Sequence, residues 1–432
     1  MPTDFFDVSL GRDFWMFRFG QFISLLGDGC GMIALSWWVL GKTGSAARMS
    51  SVLAPAMAVR VLLLPLMGPL ADSFPRKRLI LIADVWRFTC SLAIAGLVHF
   101  DRFNAAVLAT LYALSAVGGA LFSAASSAIV PQLVEREELQ KAMRQTHAAD
   151  SAARVAGGIL GGAVVSFLGV FGAFLADALS YLASAVSCCA IAASTRPQRA
   201  SDGAARGRWG DELVEGFRLL YRIPVLFWLC VVAMFLNLAL SPLAVILPVL
   251  AKQARNMPAW FLGGLESSIS LGAIVGALTV GGVLMRVRAH RLVFAALAML
   301  GIGVAILPWV PNALLPMSVL CWIGVGGTWA DVPIGTQISL AVPDSHLARV
   351  GAIMAFLCGG IAPLGVAAAG FLISAYGLTA AMACMGVALL ALTPLLLLVP
   401  RFSDFMNASP KDAENFLALH YPDALDVRTH NP

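Results

Sequence analysis

Twelve long apolar segments dominate this chain of 432 residues. A helix needs about 20 apolar residues to cross the hydrocarbon core of a bilayer. Because backbone groups in lipid must satisfy their hydrogen bonds internally, such segments fold as membrane-spanning helices. The segments are Phe14–Leu40, Ser50–Ala71, Leu79–Phe100, Ala105–Val130, Thr146–Leu168, Phe171–Ala193, Val225–Leu250, Trp260–Met285, Leu292–Val310, Ala313–Ala341, Val350–Ala375 and Leu378–Val399. The sequence therefore predicts an all-α membrane protein with twelve transmembrane helices.

The composition excludes several other classes of protein. Charged residues make up 12% of the chain, about half their share in soluble domains. No strand-like alternation recurs along the chain, which argues against a membrane barrel. The six His are scattered and the eight Cys contain no CxxC pair, so neither a metal site nor a disulfide framework is indicated. No nucleophile–base spacing or Walker A pattern occurs, so we expect no enzyme, no cofactor and no nucleic-acid partner.

The longest polar interruption divides the segments into six and six. We expect an N-terminal half over residues 1–194, a cytoplasmic linker over 195–224, a C-terminal half over 225–399 and a tail over 400–432. Within the linker, Asp211–Tyr221 has the pattern of an amphipathic helix that could lie along the inner leaflet. The tail is polar, and we expect a short soluble appendage.

The distribution of Lys and Arg predicts the orientation. One side of the membrane receives 21 of these residues and the other receives 5, while Arg60, Arg87 and Arg154 fall within spans. Because cytoplasmic loops are the ones enriched in Lys and Arg, both termini are predicted to be cytoplasmic.

A short basic turn follows the second segment and has an echo in the second half. It runs Gly68-Pro-Leu-Ala-Asp72-Ser-Phe-Pro-Arg76-Lys77-Arg78, and Gly281–Arg291 occupies the same place after the eighth segment. The echo keeps the basic residues but has Met285 where the first turn has Asp72. Two six-helix halves with such a repeat indicate a pseudo-symmetric transporter with its substrate near the midplane.

The turn resembles the loop between helices 2 and 3 of the major facilitator superfamily. Further segments resemble the branch of that superfamily that contains the enterobactin exporter and the macrolide efflux pumps. They are Gly20–Asp28, Ile129–Pro131, Glu138–Ala142, Gly157–Gly162, Glu215–Phe217 and Pro363–Gly370. Gly158 stands where antiporters of the superfamily often have Pro, and Ser73 and Pro75 depart from the loop pattern.

The resemblance implies a cytoplasmic gate at the basic turn. There the loop acid, Asp72, would meet the start of helix 11, and the loop cations would pair with nearby carboxylates; a carboxylate is favoured at a helix N-terminus. Asp84 and Arg87, three residues apart near the inner end of helix 3, are expected to pair with each other or with the turn. The gate residues are Gly68, Asp72, Arg76, Lys77, Arg78, Asp84 and Arg87.

Asp28 is the leading candidate for substrate or proton binding in the first half. Gln21, Ser24 and Asp28 follow a helical spacing that places them on one face of helix 1. A charge within a span is costly and normally faces a cavity or a partner. Asp28 could therefore bind a cation or a proton, or form a structural ion pair with Arg60 or Arg154.

Four further spans carry candidate binding residues. Arg60 could hold an anionic group or lock Asp28. Arg154 could be a cation of the cavity or a partner of Asp28 or Asp331, and it shares a face with glycines that permit close helix packing. Asp331 is the clearest buried acid of the second half, and a structural role is equally open to it. Asn237 precedes Pro242, a residue that makes helix 7 a candidate bending gate.

Two acids nearer the outer helix ends are candidates for an outer gate or rim, namely Asp177 and Glu266. Aromatic side chains such as Trp37, Phe122 and Trp329 could line a cavity for a ring-bearing substrate or could simply pack. The placement of the two acids rests on their depth along each span.

Together these features predict a monomeric secondary transporter of the bacterial inner membrane that works by alternating access. The resemblance implies proton-coupled export of a bulky small molecule, such as a siderophore, with macrolide or multidrug efflux as the alternative. A metal-ion or lipid carrier on the same fold and a non-transporting membrane sensor are the other readings that the residues leave open.

Overall fold

The computed structural model describes residues 10–192, 209–311 and 314–421. Within these ranges the chain is helical. The helices, numbered in chain order, are α1 Arg12–Thr43, α2 Ala46–Ser73, α3 Arg76–His99, α4 Ala105–Leu133, α5 Leu139–Cys189, α6 Trp209–Arg222, α7 Pro224–Leu240, α8 Leu243–Val249, α9 Ala259–Leu284, α10 Ala289–Ile306, α11 Leu315–Ala341, α12 Asp344–Gly360, α13 Ala362–Tyr376, α14 Leu378–Leu395, α15 Phe402–Asn407 and α16 Pro410–His420.

Eleven helical stretches in the described ranges are long and apolar enough to span a membrane. One of them, α5, contains two of the twelve predicted spans. Its backbone turns at Gly169, where φ is 73°, a conformation that glycine adopts without strain. Residues before Gly169 run parallel to α1 and residues after it run antiparallel to α1, so the chain reverses there. Counting α5 twice confirms the twelve spans.

The chain forms two compact units, Met1–Asp202 with Ala244–Ser267, and Gly203–Leu243 with Ser268–Pro432. We call them unit 1 and unit 2. In unit 1, α5 packs along α1 and α3, while α4 packs along α2 and α3. In unit 2, α10 packs against α11 and α14, and α7 packs against α12, α13 and α14.

Glycines bring helix backbones into contact inside unit 1. A Cβ atom at Gly161 on α5 would lie 2.7 Å from the carbonyl oxygen of Gly29 on α1. A Cβ atom at Gly157 would lie 3.3 Å from the carbonyl oxygen of Leu25. The expectation that the α5 glycines permit close packing is therefore confirmed.

The segment Ala244–Ser267 joins unit 1 through specific contacts. The Ser267 hydroxyl donates to the carbonyl oxygen of Val155 at 2.7 Å. The Lys252 ammonium donates to the carbonyl oxygen of Trp37 at 2.6 Å and lies 4.4 Å from the centroid of the same indole ring. The C-terminal end of α1 is thus held by a cation from a segment that the sequence assigned to the C-terminal half.

The C-terminal tail folds back on unit 2, which corrects the expectation of a soluble appendage. Phe405 and Leu417 are fully buried. The Gln337 amide on α11 donates to the carbonyl oxygens of Met406 and Ala408, at 3.3 and 3.1 Å. Because these side chains bury apolar surface against α10 and α11, α15 and α16 are part of the folded unit.

The linker helix α6 confirms the amphipathic segment. Leu220 is fully buried in this helix, while Phe217 is 48% exposed. Gly216 lies against Ile353 on α12, so part of α6 packs on unit 2.

Candidate functional site

Polar stripes on three helices of unit 1 meet in its interior. Each stripe follows the spacing of one helix face: Asp84, Arg87 and Ser91 on α3, Asp177, Tyr181 and Ser184 on α5, and Asp28 on α1. We call these seven residues the buried seam. Buried polar groups in apolar surroundings are tolerated when they are hydrogen-bonded to one another, and the contacts of the seam are of that kind.

Asp28 enters the seam through a tyrosine. The Tyr181 hydroxyl donates to Asp28 Oδ1 at 2.6 Å. Asp28 makes no ion pair within 4.0 Å among the described residues, so the predicted structural pairs with Arg60 or Arg154 are not formed here. The acid is therefore oriented by a neutral donor, and the Arg87 guanidinium lies within electrostatic range of it.

Arg87 and Asp84 form the ion pair that their spacing predicted. An Arg87 Nη2 hydrogen donates to Asp84 Oδ1, and the Ser184 hydroxyl donates to Asp84 Oδ2 at 2.8 Å. The Arg87 guanidinium carbon lies 4.1 Å from the centroid of the Phe122 ring and 4.3 Å from that of Tyr181. Stacking on aromatic faces stabilises a desolvated cation by about 2 kcal/mol or more.

This geometry changes the role expected for Asp84 and Arg87. Both side chains are buried inside unit 1, at 0% and 5% exposure. They do not lie at a loop surface where a gate would close. Because Arg87 packs on Tyr181, whose hydroxyl bonds to Asp28, the pair belongs to the same polar network as Asp28. Phe122, a candidate cavity aromatic, packs on Arg87 instead.

Asp177 also lies in the interior rather than at a rim. It is 6% exposed and packs where α5 crosses Gly31 of α1. The Ser91 hydroxyl donates to Asp177 Oδ2 at 2.7 Å, whereas Oδ1 has no hydrogen-bond partner among the described residues. The rim position was inferred from depth along the span, which does not report which way a side chain faces.

A second polar cluster surrounds Arg18, which lies nearer the N-terminus of α1 than Asp28 does. Arg18 is 3% exposed and pairs with Asp150 of α5 at 2.6 Å. It also donates to Gln21, and the Gln21 amide donates to Ser126 of α4. Gln21 is therefore held by a structural pair, and Arg18 does not belong to a cytoplasmic loop. Removing Arg18 from the charge count leaves 20 against 5 and does not change the predicted orientation.

The other predicted charges are exposed on the surface of their own unit. Arg60 and Arg154 on unit 1 and Asp331 on unit 2 are exposed and have no ion pair within 4.0 Å among the described residues. The description of Asp331 as buried is thus corrected. Because an unpaired charge facing lipid is costly, such residues normally face a polar cavity, so their proposed binding roles stay open.

Ser24 is buried in the structure, and Glu266 is partly buried. Ser24 is 2% exposed, so it lies inside the packing of α1 rather than on a cavity wall. Glu266 is partly buried on α9 and lies within electrostatic range of Tyr112, as do Asp28, Asp177 and Arg60. Its role in an outer gate stays a prediction.

The seventh span is interrupted at Pro242, and its role as a bending gate stays a prediction. The α7 helix ends at Leu240 and α8 begins at Leu243, with Pro242 between them. The exposed Asn237 donates its amide to the carbonyl oxygen of Ala233 at 2.9 Å, within its own helix. Pro242 removes a backbone donor from the helix, which is the feature that a bending gate requires.

The basic turn is described except for the side chains of Pro69 and Asp72, so the predicted latch at Asp72 lies outside the described residues. The Lys77 ammonium donates to the carbonyl oxygens of Cys189 and Ile191, at 3.0 and 2.6 Å. A cation is favoured at a helix C-terminus, so Lys77 caps the end of α5. Gly68 lines a cavity of about 350 Å³ between α2 and α4.

Sequence reasoning missed Tyr181, Ser184 and Ser91 as members of the site. The signal was present, because Asp177, Tyr181 and Ser184 repeat at four and three residues, which is one helix face. The described residues contain no group of three or more His, Cys, Asp or Glu side chains that could hold a metal ion.

Comparisons with known proteins agree on one family. The model of the Major Facilitator Superfamily matches residues 18–364. The chain is 27% identical over 396 residues to the multidrug efflux pump Tap of Mycolicibacterium fortuitum, covering 89% of this chain and 94% of Tap. It is 27% identical to the enterobactin exporter EntS of Citrobacter koseri, covering 72% and 76% of the two chains.

A solved structure shares the fold. The nucleoside transporter NupG superimposes with a TM-score of 0.73 at 13% identity, covering 90% of this chain and 100% of NupG. This similarity concerns the helical architecture alone.

Proposed function

Because the chain belongs to the Major Facilitator Superfamily, whose members are transporters and not enzymes, we propose that it is a proton-coupled exporter of bulky amphiphilic organic molecules. It would work by alternating access in the bacterial inner membrane. The proposal covers siderophores and macrolide-like drugs, and the proton gradient supplies the energy without a bound cofactor.

The hydrogen bond from Tyr181 to Asp28 carries this proposal. It presents a carboxyl group inside unit 1 to a neutral donor at 2.6 Å, with no ion pair within 4.0 Å among the described residues. Arg87 lies within electrostatic range of Asp28 but is paired with Asp84, so in this proposal Asp28 is the acid available for proton coupling. Protonation of Asp28 would then bias the unit between two conformations.

Export is supported by the relatives rather than by the geometry. Tap and EntS are named for efflux and export, and both match most of this chain. The match to Tap extends over a larger share of the chain than the match to EntS, which favours a multidrug cargo alongside the siderophore first inferred from the resemblance. A metal cargo has no support in the described residues, since they contain no cluster of metal-binding side chains.

The experiment uses a host that lacks its own efflux pumps and expresses this protein. Intracellular accumulation is measured for a catecholate siderophore, a macrolide and a small cationic dye, each with and without a protonophore. The proposal expects lower accumulation of at least one compound, and loss of that difference when the protonophore collapses the gradient. Equal accumulation of all three with and without the protein would contradict export of this class, and a reduction that survives the protonophore would contradict proton coupling.

A further inference from the structure

Asp177 is a buried acid that the proposed coupling at Asp28 does not use. Its side chain is 6% exposed. Ser91 satisfies one carboxyl oxygen, and the other has no hydrogen-bond partner among the described residues. Among the described residues, no cationic side chain lies within 4.0 Å of the Asp177 carboxyl group.

The surroundings of Asp177 are closely packed. A Cβ atom at Gly31 would lie 2.9 Å from Asp177 Oδ2, so α1 passes directly over the carboxyl group. The titratable and polar groups that face it are Asp28 and Cys30 on α1, Arg87 and Ser91 on α3, Tyr112 on α4 and Tyr181 on α5. Arg87 is the cation among them, and its charge is already paired with Asp84.

A carboxylate in this position would be a buried charge with an unsatisfied oxygen. Leaving a buried acceptor without a partner costs about 1–3 kcal/mol, and more when the group is charged. A proton on the carboxyl group removes the charge. Asp177 is therefore arranged to bind a proton.

Tyr181 connects Asp177 to Asp28. The Tyr181 hydroxyl donates to Asp28 Oδ1 at 2.6 Å. Asp177 lies one helical turn earlier on α5, and its carboxyl group is within electrostatic range of the same hydroxyl. The hydroxyl is both a donor and an acceptor. It can accept a proton from one carboxyl group while it donates its own to the other.

From this geometry we infer that Asp177 is a second proton-binding residue, which exchanges its proton with Asp28 through the Tyr181 hydroxyl. In the exchange, the Asp177 O–H bond breaks as a new bond forms to the tyrosine oxygen, and the tyrosine proton passes to Asp28. Two protons shift and the net transfer is one: Asp177 becomes a carboxylate, Asp28 becomes neutral, and the tyrosine regains its hydroxyl. The inference rests on the proposed proton coupling.

The order of the two acids fits inward proton movement. With the predicted orientation, Asp177 lies nearer the outer end of its span than Tyr181 by four residues, or about 6 Å at 1.5 Å per residue. A proton arriving from outside would meet Asp177 before Asp28. The path would run inside unit 1, along the buried seam.

Infrared spectroscopy of the purified protein tests the inference without substrate or transport. At neutral pH the wild type should show an absorption band of a protonated carboxyl group, and Asp177→Asn should remove it. In Tyr181→Phe the band should persist, but exchange of its proton for deuterium should slow because the relay is cut. Asp404→Asn, an exposed acid of the tail, is the matched control and should leave the band unchanged.

Two results would overturn the inference: a spectrum of Asp177→Asn identical to that of the wild type, or deuterium exchange in Tyr181→Phe as fast as in the wild type. If Asp177→Asn does not fold, Asp177→Glu keeps an acid at the site and should shift the carboxyl band. An unshifted band in Asp177→Glu would also overturn the inference. The spectrum reports the carboxyl group directly, so it can succeed while the accumulation experiment fails, and the two proposals are separable.

Discussion

The hydroxyl of Tyr181 on α5 donates a 2.6 Å hydrogen bond to the carboxyl group of Asp28 on α1. The same ring packs 4.3 Å from the Arg87 guanidinium, which is paired with the fully buried Asp84. One tyrosine therefore connects Asp28, which has no ion pair within 4.0 Å among the described residues, to a buried ion pair. This connection is the reason to place proton chemistry in unit 1.

Tyr181→Phe should slow proton-driven transport while the protein stays folded. The phenyl ring can still stack on Arg87, but Asp28 loses a hydrogen bond of the kind that contributes about 1.5–3 kcal/mol when one partner is charged. We expect the rate of proton-driven transport to fall about tenfold or more, with little change in substrate affinity measured without a gradient. Transport at the wild-type rate would show that the hydroxyl has no role in coupling.

Arg87→Met should destabilise the protein more than the double variant Asp84→Asn with Arg87→Met. Removing one partner of a buried ion pair leaves an uncompensated charge and costs about 3–5 kcal/mol, whereas replacing both partners avoids that cost. Thermal unfolding in detergent measures the difference. The single variants Arg87→Met and Asp84→Asn each lower the unfolding temperature by some amount. A loss in the double variant equal to the sum of these two losses would contradict a coupled pair.

Lys252→Met should lower the unfolding temperature, and Lys42→Met should not. Lys252 donates to the carbonyl oxygen of Trp37 and stacks on its ring, whereas Lys42 pairs with Asp101 at an exposed surface. Exposed ion pairs contribute about 0–1 kcal/mol, and a hydrogen bond to a charged group contributes about 1.5–3 kcal/mol. Equal shifts in the two variants would remove Lys252 from the packing of Ala244–Ser267 on α1.

Gly161→Leu should prevent close packing of α5 on α1. A Cβ atom there would lie 2.7 Å from the carbonyl oxygen of Gly29, so the larger side chain must push the two backbones apart. Gly119→Leu on α4 is the control, because no atom lies within 4 Å of its added Cβ. Overpacking costs about 1–3 kcal/mol, and the yield of folded protein after purification should fall for Gly161→Leu alone.

Much of the fold could be predicted from the sequence. Length and apolarity define the spans, and the division into six and six follows from one polar interruption. The boundary between Thr146–Leu168 and Phe171–Ala193 also agrees with the reversal at Gly169. The docked tail could not be located in this way, because it depends on the burial of Phe405 and Leu417 against other helices rather than on local pattern.

The site was less predictable, for a physical reason. Depth along a span identifies charges such as Asp28 and Asp177, but the direction of each side chain depends on which helices pack together. The polar residues of α1, α3 and α5 form one seam only because α5 packs against both α1 and α3. Arg18 shows the converse: a cation near a helix end was assigned to a loop, and the structure buries it against Asp150.

Proton movement by reconstituted protein tests the central claim most directly. Wild type and Asp28→Asn are placed in proteoliposomes with an exported compound identified in the accumulation experiment, and two quantities are measured: accumulation driven by a pH gradient, and substrate exchange without a gradient. The account predicts that Asp28→Asn loses gradient-driven accumulation and the accompanying proton flux but retains exchange. Gradient-driven accumulation equal to that of the wild type would contradict the assignment of Asp28 as the coupling residue.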